Sequence, residues 1–164
     1  MDSALLKELY NKYQRELFLY IFSLCRNREI AEDLTQETFL KALLSLSENH
    51  SNIRAWLYMV ARNLYLNLLK KEKGRVDIDE MREFKDDGNV IDDVILSEQK
   101  RFCYKALQTL DKMKREVLIL QYFGGLSQKE IASVLHISPE NVRVLSYRGK
   151  KEMKKYLEAK GYDI

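Results

Sequence analysis

Arg143, Tyr147, Arg148 and Lys151 stand at spacings that put them on one side of a helix in the stretch SPENVRVLSYRGKKEMKKYL, with Glu140 and Val144 among them and Lys150, Lys154 and Lys155 as a basic rim. Guanidinium and ammonium groups in such a row neutralise phosphates, and amide, acid and guanidinium groups that reach base edges discriminate between bases. The chemistry on offer is recognition of a polyanion, not bond making. A solvated helix face has the same composition, and lysine runs usually mean only that. The decision for DNA comes from the residues behind the row. With Gln128 as the first position, Ile131, Leu135, Ile137, Val142 and Leu145, together with small Ala132, stand where two short crossed helices must touch, the packing pattern of a helix-turn-helix. Ser127 can cap the first helix. Ser138 followed by Pro139 is a hydroxyl cap with proline in the first helical position, so the second helix starts at Ser138. Val142, Leu145, Ser146, Gly149 and Met153 then form its packed side. His136 occupies the turn where many such motifs keep glycine; with no second ligand near it in sequence, it is read as a turn residue and not a metal ligand.

Two further arrays lie upstream. In REIAEDLTQETFLKALLSL, which opens after Asn27 as a cap, Ala31, Leu34, Thr35, Thr38 and Ala42 make a packing side, and Asp33, Gln36, Glu37 and Leu40 lie opposite. Acid and amide groups around an outward leucine suit a partner protein, although spacing alone allows a plain solvated face. In IRAWLYMVARNLYLNLLKK, Ile53, Leu57, Val60, Ala61, Leu64 and Leu68 form the buried side, while Trp56, Tyr58, Tyr65 and Leu66 are interleaved with Arg54, Arg62, Asn63, Asn67, Lys70 and Lys71. Rings for bases and cations for phosphates are how single-stranded nucleic acid is held. The competing reading is that the rings pack under a neighbouring helix.

Catalysis has no comparable support. His50 and His136 are isolated, no phosphate-cradling glycine loop occurs, and no carboxylates stand at metal-ligand spacing. The acids from Asp77 to Asp93 crowd a stretch without a scaffold. No cofactor, metal or catalytic residue is implied.

These arrays must be positioned by helices. With 46% hydrophobic and 32% charged residues, one proline and six glycines in 164 residues, the chain reads as soluble and all-helical. Leu5, Leu9, Tyr13, Leu17, Ile21 and Leu24 predict a core helix from Ser3 to about Leu24, and SLSENHSN a polar loop before the third helix. Downstream, a helix is expected from about Val94 to Leu110, with Leu96, Phe102, Cys103, Ala106 and Leu110 apolar. Another is expected in KREVLILQYFGGLS, ended by its glycine pair. Cys25 and Cys103 are read as reduced core thiols, not a disulfide. No run of about eighteen apolar residues and no signal-peptide pattern appears, so the chain is expected to be cytosolic.

The net charge of +3 is small for a nucleic-acid protein until it is divided. Residues 1–71 carry ten bases and eight acids (+2), residues 72–93 four and nine (−5), and residues 94–164 fourteen and eight (+6). The reading is two small helical domains, 1–71 and 94–164, on a flexible acidic linker, 72–93. Roughly 20 residues at about 3.5 Å each extend to at most ~70 Å, about two turns of B-DNA at ~34–36 Å per turn. Each half has only about 70 residues, near the lower limit for an independent core, so modest stability and reliance on partners are expected.

Taken together, AEDLTQETFLKAL, IRAWLYMVARNLYLNLLKK and REVLILQYFGGLSQKEIASVLHISPENVRVLSYRGKKEMKKYL resemble regions two and four of an extracytoplasmic-function sigma factor of bacterial RNA polymerase, in matching order over nearly the whole chain apart from the linker. Lys112 stands where that family usually has proline, and Val144 to Ser146 replace its common SRL. The resemblance implies that Asp33, Gln36, Glu37 and Leu40 grip the clamp of the polymerase largest subunit, and that region four meets the flap of the second-largest subunit. It implies that Asn49, Ser51, Asn52, Trp56, Arg62, Asn63, Asn67, Lys70 and Lys71 bind the minus-ten element, including its non-template single strand. At minus thirty-five, Ser138 would belong to the DNA-binding set, Glu140, Asn141, Arg143, Val144, Tyr147 and Arg148 would lie nearest the duplex bases, and Lys150, Lys151 and Lys154 would hold phosphates. It also implies an anti-sigma factor, often membrane-anchored, and no membrane insertion by the chain itself. Two rivals remain. An operator-binding regulator would share the helix-turn-helix but would need neither the Asp33 stripe nor the aromatic-basic helix. An enzyme acting on nucleic acid lacks a site.

Overall fold

In a computed structural model of the protein, residues 2–46, 50–73 and 97–161 are described. Among these residues there are seven helices and no strand, as the patterning predicts. The chain divides into two compact units, Met1–Val90 and Ile91–Ile164. That division falls inside the expected linker, of which residues 74–93 lie outside the described residues; Glu72 closes the third helix and Lys73 follows as a turn.

The first unit contains α1 (Ser3–Cys25), α2 (Arg28–Ser45) and α3 (Ile53–Glu72). Asp2 starts α1, its carboxylate accepting the Ala4 N–H at 2.8 Å. Leu9, Tyr13, Leu17 and Ile21 face inward as their spacing requires, and Leu5 and Leu24 are half-buried. From Leu19 to Ser23 every residue is buried, because α2 and α3 both pack against α1 and its last turns have no solvent side. The chain reverses in two residues. Arg26 takes a left-handed φ of 52° and donates its N–H to Phe22 O at 2.8 Å, and Asn27 caps α2 through the Ile30 N–H at 3.1 Å. On α2 the expected packing side is buried together with Phe39. The Thr35 and Thr38 hydroxyls donate to Ala31 O (2.6 Å) and Leu34 O (2.7 Å), which satisfies both polar groups inside the core. Leu17, Tyr20, Ile21, Ala31, Ala42, Leu57 and Ala61 form the centre; each large apolar side chain withdrawn from water contributes about 1.5–3 kcal/mol.

The second unit contains α4 (Glu98–Leu107), α5 (Lys112–Tyr122), α6 (Gln128–Leu135) and α7 (Pro139–Ala159). Its first helix is shorter than expected. Ser97 caps it through the Lys100 N–H, Val94 to Leu96 lie outside the described residues, and the chain turns at Gln108 to Leu110 before Asp111 caps α5. Leu110 is buried but belongs to that turn. Cys103 is exposed, so only Cys25, half-buried, comes near the expected core position; both thiols are free. Tyr104 and Leu107 supply the buried side of α4 instead. Val117 to Leu120 and Ile131 fill the centre. Close approach of α5 and α7 requires Gly149, where an added Cβ would lie 2.8 Å from Leu118 Cδ1. As the glycine pair predicts, α5 ends at Tyr122, with Gly124 N–H donating to Ile119 O and Gly125 at φ 64°.

Candidate nucleic-acid and partner interfaces

The helix-turn-helix is built by short-range rules. Ser127 and Glu130 form a reciprocal capping box at the start of α6, each side chain accepting the other's backbone N–H, at 3.2 and 2.7 Å. His136 ends α6 at φ 58° with its N–H on Ala132 O, so it is the turn residue that the spacing predicts. Ser138 Oγ accepts the Asn141 N–H at 3.1 Å and Pro139 opens α7. Gln128 Nε2 donates to Pro139 O at 2.8 Å, which ties the first turn of one helix to the first turn of the other. Ile131, Ala132, Leu135 and Val142 are buried between them, and Ile137 and Leu145 are half-buried.

This packing leaves one face of α7 open. Ser138, Glu140, Asn141, Arg143, Tyr147, Arg148, Lys150, Lys151, Lys154 and Lys155 are all exposed, and Val144 is half-buried. Arg143 pairs with Glu140 on that face, which holds the Glu140 carboxyl below its ordinary value, first by hydrogen bonding and then by charge. Any outside group that engages Arg143 must therefore compete with this internal partner. Lys151 lies over the Tyr147 ring, 6.0 Å from its centroid, and Lys150 over the Tyr122 ring at 5.5 Å. A cleft of about 280 Å³ opens beside this face, and Gln121, Gln128, Arg143, Tyr147 and Lys150 line it. Its floor is fixed by the half-buried Ser146–Gln121 bond at 2.7 Å. Sequence reading did not single out Gln121, Gln128 or the 59% exposed Tyr122 as surface groups; helical spacing from Lys150 gives no signal across separate helices.

In the first unit, Asp33, Gln36 and Glu37 are exposed on α2 with Leu40, 57% open. The stripe runs further than expected, to Leu44 at 82% exposure, four residues beyond Leu40 and legible by that spacing. On α3 the interleaved groups separate. Asn63, Asn67, Lys70 and Lys71 are exposed, Trp56 and Leu66 are half-buried, and Arg62 retains only 9% of its surface. Tyr58 (1%) and Tyr65 (6%) are core residues whose hydroxyls donate to Glu16 Oε1 and Leu24 O. For these two rings packing under a neighbouring helix is the correct reading, because a tyrosine can bury its ring once its hydroxyl finds an acceptor. Ser51 is exposed, Asn52 caps α3 through the Ala55 N–H at 3.3 Å, and Asn49 lies outside the described residues.

No helix among the described residues is long and apolar enough to cross a membrane. Residues 9–75 match the family Sigma-70 region 2, and residues 104–153 match the family Sigma-70, region 4. The ECF RNA polymerase sigma factor SigM of Bacillus subtilis (strain 168) is 30% identical over 155 residues, covering 90% of this chain and 91% of that protein. RNA polymerase sigma factor YlaC of the same organism is 32% identical over 162 residues, covering 92% and 90%. Among solved structures, the sigma factor RpoE in complex with the anti-sigma factor NepR from Bartonella quintana shares the fold at a TM-score of 0.67 and 22% identity, over 93% of this chain and 96% of that one. With the two sigma regions in order and such relatives spanning nearly their full length, the chain belongs to the ECF sigma factors of RNA polymerase.

Proposed function

We propose that the two units divide the work of promoter recognition. The domain formed by residues 1–71 binds the clamp of the polymerase largest subunit through Asp33, Gln36, Glu37 and Leu40. It takes the minus-ten element, duplex edge and non-template strand, on Asn49, Ser51, Asn52, Trp56, Arg62, Asn63, Asn67, Lys70 and Lys71, with Arg62 the least accessible of those among the described residues. Residues 72–93 act as the tether. The domain formed by residues 94–164 meets the flap of the second-largest subunit and reads the minus-thirty-five duplex with α7. Glu140, Asn141, Arg143, Val144, Tyr147 and Arg148 face bases, Ser138 at the start of α7 lies beside them on the DNA, and Lys150, Lys151 and Lys154 hold phosphates.

The observation that carries this reading is the open face of α7, an exposed row from Glu140 to Lys151 on a doubly capped helix-turn-helix. Base contacts there discriminate by about 1–3 kcal/mol each, and phosphate contacts fix register and impose salt dependence. Opening the promoter is a different task. Extruding a base costs a few kcal/mol, more than a small positive domain readily offsets, so the polymerase supplies the remainder. The chain itself catalyses no reaction and works in the cytoplasm. An anti-sigma factor, in many systems membrane-anchored, holds it in check, as the RpoE relative in complex with the anti-sigma factor NepR suggests.

Enrichment from a randomised duplex pool by core polymerase plus this chain tests the division. Two separated sequence blocks should emerge, with neither block enriched by core polymerase alone. A single block, bound equally well by the chain without polymerase, would favour an operator-binding regulator.

A further inference from the structure

Glu16 does not belong to either candidate interface, yet its carboxylate is held by two residues of another helix. It sits on α1 and faces the start of α3. Its Oε1 lies 3.5 Å from Arg54 Nε and accepts the Tyr58 hydroxyl at 3.2 Å. Arg54 and Tyr58 are four residues apart, so one carboxylate grips two successive turns of the same helix face. The Arg54 guanidinium also lies over the Tyr13 ring, 5.2 Å from its centroid, and Tyr58 packs edge-on against Tyr20 at 5.3 Å. Lys12 reaches the Tyr13 ring as well, at 5.2 Å.

Each charge carries a cost at its position. Arg54 occupies the first turn of α3, where a cation opposes the helix dipole. Burial pushes the Glu16 carboxyl above its ordinary value, even though Arg54, Tyr58 and Lys12 pull it down. A carboxyl group whose folded pKa lies above its unfolded value disfavours folding while ionised, and the penalty fades as pH falls through the folded value. At neutral pH a glutamine would fill the same space and keep the tyrosine bond at less cost. What a glutamine would not keep is the charge attraction to Arg54. Arg54 is two residues from Asn52, which caps α3 and whose own N–H donates to His50 Nδ1 at 3.1 Å. The Glu16–Arg54 pair is therefore one of the contacts that fix the start of α3 and the segment before it.

We propose that Glu16 is a positioning residue for minus-ten recognition: through Arg54 it fixes the first turn of α3, and with it Ser51, Asn52 and Trp56, in the arrangement that receives the opened strand. This inference rests on the assignment of that segment to the minus-ten element. It adds a residue that touches neither polymerase nor DNA and acts on strand capture alone.

The test uses the full chain with core polymerase and a fork-junction DNA built from the enriched promoter, carrying its minus-ten non-template strand unpaired. Glu16→Gln and Arg54→Gln should each weaken retention of the fork by about five- to tenfold, and the double variant should lose no more than either single one. Core polymerase association should be unchanged, and the melting temperature of Glu16→Gln should not fall, whereas a merely structural role would lower it. Unaltered retention in both variants overturns the proposal. Losses that multiply overturn it too, since Arg54 would then act independently of Glu16. Reduced polymerase association in Glu16→Gln does the same. A wild-type complex that retains the fork no better than core polymerase alone defeats the minus-ten assignment itself.

Discussion

α2 and α7 each bury one side and leave the other open, but the open sides differ in kind. On α2 the exposed groups include Asp33, Gln36 and Glu37 beside two leucines, 57% and 82% accessible, with Lys41 between the leucines. On α7 they are Arg143, Arg148 and a lysine rim around Tyr147. Carboxylates repel phosphate, and exposed leucines gain by being withdrawn from water, so the first face fits a protein. A cationic row beside amide and acid groups fits a polyanion with readable edges. Two helices of similar build thus announce different partners through charge sign and apolar exposure, and salt should separate them. Binding through α7 should fall steeply with ionic strength, while binding through α2 should fall less.

The largest effect is expected from the protein-facing side. Asp33→Ala combined with Glu37→Ala should weaken association with core polymerase by about a hundredfold, the scale of losing an interface anchor, without lowering the melting temperature. Co-purification at wild-type levels would erase the distinction between the two helices. Next in size, Arg143→Ala should cost about 1–3 kcal/mol of DNA affinity and relax preference at one base pair of the minus-thirty-five block, leaving polymerase association intact. Simultaneous loss of polymerase association would show that α7 is not a DNA face alone. Smaller still, Lys151→Ala should weaken binding similarly on all sequences and lower the salt slope by about one unit. A sequence-selective loss would turn that lysine from a phosphate contact into a base reader. The least consequential comparison sets one thiol of each unit against the other. Cys103 is exposed, whereas burial pushes the Cys25 thiol up to about 11. Iodoacetamide at pH 8 should therefore modify Cys103 first, as peptide mapping would show, and labelling of Cys25 at an equal rate would contradict the packing around α1.

Features governed by neighbours in the chain were legible in advance. Asn27, Ser127 and Ser138 cap where their side chains and following residues say they should, because a cap needs only a hydroxyl or amide and an N–H two or three residues on. The buried sides of α1 and α2 follow their periodicity for the same reason. Features decided by another helix were not legible. Tyr58 and Tyr65 read as possible base-stacking rings until α1 supplies Glu16 and the Leu24 carbonyl as hydroxyl partners. Cys103 reads as core until Tyr104 and Leu107 take that side of α4. The cleft beside α7 draws Gln121 and Gln128 from two other helices, and no spacing along one segment connects them to Arg143. On the candidate faces themselves the sequence identified the exposed members of α2 and α7, but overestimated the accessibility of Arg62 and stopped short of Leu44.

Run-off transcription across a promoter library, by core polymerase with and without this protein, tests the central claim most directly. Adding the chain should create transcripts from a defined subset of promoters that share both sequence blocks, with start sites at a fixed distance downstream. Transcripts that do not change in identity or start site when the chain is added would contradict the assignment of promoter recognition to these two helical units.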